Sequence, residues 1–288
     1  MLDLFITPFV EFDFMLNALI SLLCLCCSSP IVGVFLSLKK MSLSGDAISH
    51  SILPGVTISF LFFGLSVTAL TLGGLIAGLI VIILSSLFSR ASTASSDNIL
   101  TVFYLFSLSL GVLIMSISGS NLDLLNFLFG NIFAINNETI LMLGIITSLT
   151  LITIFFISRP LIIEIVDPLF FSSVSKIGGL IDIIFMILVV LNLIASFQAI
   201  GTLMGIGIMV IPSISLRFWT NNLFKIIIFS VITALLSSYV ALIISFNVNI
   251  SCSPLIIIIL SSFFLLSFII GKRNGIIWNY IKTKHYED

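Results

Sequence analysis

Charge is scarce in this chain. Asp, Glu, Lys and Arg make up 8% of its 288 residues, against 59% hydrophobic residues and a mean hydropathy of +1.35. No water-facing globular surface can be built from that balance, so a soluble domain is excluded. Histidine is scarcer still, with only His50 and His285, and no H-E-x-x-H occurs, so an intramembrane zinc protease would lack its ligands. An aspartate protease needs two facing carboxylates, and Asp182, near a helix start, reads as a cap. No G-x-x-x-x-G-K-[ST] is present, which excludes a P-loop of the chain's own. Three of the four cysteines, Cys24, Cys26 and Cys27, crowd one apolar segment with Cys252 far away. They read as small apolar residues, and no disulfide framework is indicated. The start, MLDLFITPFVEFDF, has no basic region ahead of its apolar residues and is not expected to be a cleaved signal. A net charge of −1 gives no sign of a nucleic-acid partner.

What is present is hydrophobic length. Apolar segments of about 20 residues recur from residue 14 to 270, the signature of membrane-spanning helices rather than of ten-residue barrel strands. The fold class is all-α, a polytopic helix bundle of 8–9 spans forming one domain over residues 1–288. Spans are expected at 14–38, 44–63, 66–88, 99–117, 140–158, 223–246 and 254–270. Residues 180–219 are twice the length of one crossing and fold back near 196–201. A surface or re-entrant segment follows the fourth span, a short surface helical piece is expected over 161–179, and 271–288 form a polar tail. Gly74 and Gly78 have the small-xxx-small spacing that lets helices approach closely. In a nine-crossing arrangement all 11 Lys and Arg fall on one side, and merging or splitting a span would scatter them. The positive-inside rule makes that side the cytoplasm, with the N-terminus outside and the C-terminus inside.

Against this background residues 39–56, KKMSLSGDAISHSILPGV, stand out. Two lysines and a polar turn lead into an apolar run that holds Asp46 and His50. An ionisable side chain at bilayer depth costs roughly 2.5–3.5 kcal/mol on insertion scales, so such residues mark function by default. The spacing of four stacks both on one helix face, where they could hold a metal ion or face a polar pathway. A capping carboxylate plus a hydrogen-bonded core histidine is the plainer alternative. One carboxylate and one imidazole make half a site; a homodimer would supply each twice, the mixed oxygen and nitrogen set that suits Zn²⁺, Mn²⁺ or Fe²⁺. At 1.5 Å per residue they lie at most roughly 10 and 17 Å along a helix from Lys39. Pro54 and Pro212 read as helix kinks that could shape a pathway. Asn192 and Gln198 read as interhelical hydrogen-bonding groups, and His285 as a solvated tail residue.

The same stretch resembles the hallmark of the metal-ion class of ABC importer permeases, the zinc and manganese permease family: a basic residue, Met, a small-residue turn, G-D-A-[LI]-S-H and P-G-V. The resemblance continues in Leu128-Phe129-Gly130, and in Gln198 to Gly201 followed by an apolar run to Pro212. It implies that Asp46 and His50 coordinate the transported divalent metal. It also implies that the chain is a transport subunit rather than an enzyme, with no permanently bound cofactor. Its partners would be a second copy of itself, cytoplasmic ABC ATPase subunits that hydrolyse the ATP, an external metal-binding lipoprotein and membrane lipid. The family's ATPase-docking stretch, D-P-x-x-A-x-x-x-G, is matched by Asp167 and Pro168, with Phe171 at the usual Ala and Ser175 at the usual Gly. A bias to Ile, Phe, Ser and Asn fits an AT-rich genome, and the membrane is expected to be a bacterial inner membrane or a plastid equivalent. Two alternatives stand beside the importer: an ion-coupled secondary carrier with Asp46 as its proton site, and a degenerate family member without transport.

Overall fold

The computed structural model describes residues 8–64, 66–91, 96–118, 132–174, 178–273 and 275–278. Its helices are α1 (Asp13–Leu38), α2 (Ser42–Ser51), α3 (Leu53–Phe63), α4 (Val67–Ala91), α5 (Ser96–Ser118), α6 (Asn137–Val166), α7 (Pro168–Val174), α8 (Gly178–Ile200), α9 (Thr202–Leu216), α10 (Leu223–Val248) and α11 (Cys252–Ile270). One 3-10 turn, Ile132–Ala134, precedes α6, and no strand occurs among the described residues. Helices satisfy every backbone polar group internally, which lipid demands. Seven segments are long and apolar enough to cross a membrane, and two shorter apolar helices, Asn98–Ile114 and Met204–Leu216, accompany them.

The bundle is built around α1, which packs against α6, α8, α9 and α10. In the most apolar stretch of α1, 67% of residues are buried, against 22% in α4, 28% in α6 and 22% in α11, so α1 is central and these three are peripheral. Since lipid is as apolar as leucine, packing of small residues and interhelical hydrogen bonds hold such a bundle. Both are present. A Cβ at Gly33 of α1 would strike the Met209 carbonyl of α9, and one at Gly55 of α3 would strike the Gly73 carbonyl of α4. Gly74 and Gly78 face Ile52, Val56 and Val190 as their spacing predicts. Asn192 donates to Thr150 Oγ1 at 2.9 Å and Gln198 to Thr71 Oγ1 at 2.8 Å, both between helices as expected.

Three local features differ from the sequence reading or sharpen it. The second span is two helices: α2 ends and α3 begins at Ile52, because Pro54, in the first turn of α3, brings no N–H to an ongoing ladder. The fifth span does not stop at Arg159 and Pro160. Its helix runs on to Val166, taking the first residues of the expected surface piece, because Leu161, Ile162 and Ile165 pack into the main apolar cluster and outweigh the proline. The 180–219 segment does fold back, at Gly201, whose φ of 92° only glycine adopts freely. There Gly205 of α9 lies against Ser196 of α8. Charged ends also gather: Lys39 pairs with Glu164 and Asp182, and the Arg273 N–H donates to the Phe218 carbonyl at 3.0 Å beside Arg217, all at one end of the bundle. At the other end the Phe14 ring meets Phe133 and Phe246.

Candidate metal site and docking helix

The turn between α1 and α2 is tight. Lys40 sits at φ 59°, a left-handed conformation uncommon for lysine, and Met41 N–H returns to the Leu36 carbonyl at 3.1 Å. α2 then packs inward through Gly45, which lies against Leu36 and Ile206, and through buried Ala47, Ile48 and Ser49. That packing decides where the opposite face points. Asp46 and His50 lie one turn apart on it, beside α5, with the Tyr104 ring 6.4 Å from the imidazole. Asp46 is the fifth residue of α2 and caps nothing; the helix starts at Ser42 without a side-chain cap.

His50 Nε2 and Asp46 Oδ1 stand 3.7 Å apart, too far for a hydrogen bond. Two ligands each about 2.1 Å from one tetrahedral ion stand about 3.4 Å apart, so the pair needs only a small rotation to bind one ion together. The Asp46 side chain is 54% exposed and the His50 side chain 19% exposed in the single chain. Among the described residues no group of three or more His, Cys, Asp or Glu converges, so Asp46 and His50 have no third such side chain beside them. The cysteines do not add to it: Cys26 Sγ meets Ser238 Oγ at 3.3 Å on the far side of α1.

Pro54 stands at the α2–α3 break one turn beyond His50, with Gly111 of α5 pressed against it. The cavity that opens there, about 410 Å³, lies between α3, α4 and α5 and is apolar, lined by Pro54, Ile58, Ile76, Ile80, Phe103 and Phe106 among others. Pro212 is buried inside α9, which runs through it without a break.

The stretch that resembles the family's docking segment folds as its sequence dictates. Asp167 ends α6, and its Oδ1 accepts the Phe170 N–H at 2.9 Å, capping α7, which opens on Pro168 as a first helical residue should. Phe171 points inward. It is 8% exposed, in one apolar cluster with Phe35, Ile48 and Phe185, while Leu169, Phe170 and Val174 face outward. Ser175, the 128–130 segment and His285 lie outside the described residues.

Three features escaped the sequence reading. Tyr104 is an aromatic in an apolar span with nothing in its neighbourhood to single it out. Asp182 is no cap: it lies inside α8 and receives a hydrogen bond from Lys39 Nζ, with Glu164 Oε1 3.8 Å from the same ammonium. Charges of opposite sign at the ends of three spans were the available signal. Arg217, just past α9, donates to Ser37 Oγ at 2.9 Å, and desolvation pulls its guanidinium below the ordinary value.

Residues 11–271 match the ABC 3 transport family. The manganese import system permease protein ScaB of Streptococcus parasanguinis is 30% identical over 285 residues, covering 99% of this chain and 98% of that one. An uncharacterized membrane protein of the ycf23-apcF intergenic region in Cyanophora paradoxa is 33% identical, covering 94% and 90%. Among solved structures, PsaBC from Streptococcus pneumoniae in complex with Fab superposes with a TM-score of 0.86 at 28% identity, over 99% of this chain and 100% of that chain.

Proposed function

Because the chain belongs to the ABC 3 transport family, we propose that it is the membrane-spanning permease subunit of an ATP-driven importer of a first-row divalent ion, Mn²⁺ before Fe²⁺ or Zn²⁺. Manganese leads because the ScaB relative carries that ion in its name and matches the chain nearly end to end. The observation that carries the reading is the Asp46 and His50 pair, one turn apart on a face partly exposed in the single chain. Two copies meeting across that face bring two carboxylates and two imidazoles to one ion, an oxygen and nitrogen set suited to these metals. Few ligands and an exposed rim also suit a cargo that must leave.

The cytoplasmic ATPase subunits engage the outward face of α7, formed by Leu169, Phe170 and Val174, an apolar patch at the charged end of the bundle. That end faces the cytoplasm of a bacterial inner membrane, or the corresponding side of a plastid membrane. On the opposite side a metal-binding lipoprotein delivers the ion. Reconstitution of the chain with its ATPase in vesicles tests this: ATP-dependent uptake of radiolabelled Mn²⁺, competed by Fe²⁺ and Zn²⁺ in turn, is expected. Uptake that follows an imposed proton gradient and ignores ATP would support the secondary carrier instead, and a complex that assembles but moves no metal would mark a degenerate member.

A further inference from the structure

One ammonium joins three helices at the charged end. Lys39 caps the C-terminus of α1, immediately before the turn into α2 with Asp46. Its Nζ donates to Asp182 of α8 and stands 3.8 Å from Glu164 Oε1 of α6. Glu164 lies just ahead of α7 in the chain and Asp182 just behind it, so the docking helix is bracketed by the two carboxylates that this lysine serves. The group is enclosed on one side only: the Lys39 and Glu164 side chains are 11% and 16% exposed, whereas Asp182 is 44% exposed. Lys39 also lies over the Phe185 ring, 5.5 Å from its centroid, and Phe185 shares an apolar cluster with Phe171 of α7 and Ile48 of α2.

The cluster is unbalanced. One cation faces two carboxylates, and Glu164 Oε2 is buried with no hydrogen-bond partner among the described residues. Buried polar oxygens are ordinarily satisfied, so an orphan needs a reason. Closing the Lys39–Glu164 gap from 3.8 Å to hydrogen-bond length takes about 1 Å, within reach of a flexible lysine stem or a small shift of α6. Lys39 is covalently tied to α2 through the two-residue turn at Lys40 and Met41, so movement of its side-chain anchor is passed to the helix that holds Asp46 and His50.

We propose that Lys39 is a positioning residue that shifts from Asp182 toward Glu164 as the docking helix moves, and so transmits the state of the ATPase to the metal-site helix. This rests on the importer reading of α7 given above. A two-position element biased from both ends is what coupling between distant sites requires. A static ion pair, by contrast, would only fasten three helices together.

The two are separated by backbone hydrogen exchange on the full chain purified with its ATPase, with and without a non-hydrolysable ATP analogue. In the wild type, nucleotide changes exchange at residues 168–174 and, through Lys39, at residues 40–50 by about fivefold or more. Glu164→Gln removes the second anchor. Lys39→Arg holds both carboxylates at once with its fork. In each variant the response at 168–174 persists and the response at 40–50 is lost, with the thermal unfolding midpoint near that of the wild type. Either variant suffices if the other is not recovered. A response at 40–50 that survives in these variants overturns the proposal and leaves a static ion pair. A wild-type complex with no response at 168–174 refutes the docking reading and this inference together.

Discussion

Asp46→Asn separates a functional carboxylate from a structural one. It keeps the shape of the side chain and removes the charge. In the single chain Asp46 is 54% exposed and its oxygen is 3.7 Å from the imidazole, so what is lost is at most an exposed ion pair, worth about 0–1 kcal/mol. For a chain of this size that corresponds to a change in unfolding midpoint of about 2–4 °C at most. Removing a charged group from an apolar span could even raise the midpoint, since such groups cost roughly 2.5–3.5 kcal/mol at bilayer depth. Transport responds on another scale. In the proposed two-copy site the substitution would remove two anionic ligands, and loss of even a supporting partner of a metal ligand typically costs about 10–100-fold in affinity. The expected outcome is near-normal thermal unfolding of the purified complex, with Mn²⁺ uptake at low metal concentration reduced by about 100-fold or more. Normal uptake at normal protein level would remove Asp46 from the site. A large fall in unfolding midpoint would instead make it a structural residue, and the argument from exposure would be wrong.

Other outcomes follow from the packing. Leu169→Glu or Phe170→Glu on the outward face of α7 should leave thermal unfolding unchanged and abolish co-purification of the ATPase, whereas Phe171→Ala should lower the chain's own stability by about 3–5 kcal/mol, read by denaturant unfolding. Gly73→Val forces a branched side chain onto Ser59 and Gly55, and should destabilise the α3–α4 contact by about 1–3 kcal/mol, seen as loss of folded protein in detergent. Asn192→Leu gives up the bond to Thr150 and is expected to cost only about 0.6 kcal/mol by the same unfolding measurement.

Much of this architecture was legible because membrane helices announce themselves by length. The span limits at 14, 38, 223 and 270 match α1, α10 and α11 within a residue, and the reversal near 196–201 was visible because 40 apolar residues exceed one crossing. Proline was the misleading signal. Pro160, just past the span expected over 140–158, reads as its terminator but sits inside α6, since packing of Leu161 on the core outweighs a missing hydrogen bond, while Pro54 marks a true break. Composition cannot tell these apart because the difference lies in what the neighbouring side chains touch. The pairing of Asp46 with His50 was readable from periodicity alone. The partners of Lys39 were not, for Glu164 and Asp182 are far away in the chain and meet it only through the antiparallel run of α8 against α1 and the parallel run of α6.

The central place of α1 has a consequence for how the protein is made. This helix precedes in the chain every helix that will surround it, so it must wait in the bilayer with its hydroxyl-rich faces uncovered while α6, α8, α9 and α10 are still being synthesised. Two of its four serines, Ser21 and Ser37, are equipped for the wait. Ser21 Oγ donates to its own helix at Asn17 O over 2.8 Å and Ser37 Oγ to Val34 O over 2.9 Å, whereas the contacts of Ser28 with Thr147 and Ser29 with Ser196 are long, at 3.5 and 3.4 Å. A hydroxyl that can return its proton to its own backbone enters lipid without an unmet donor. The first span can therefore be inserted early and completed late, and the later helices find a surface that is already stable in the membrane yet still free to bind them.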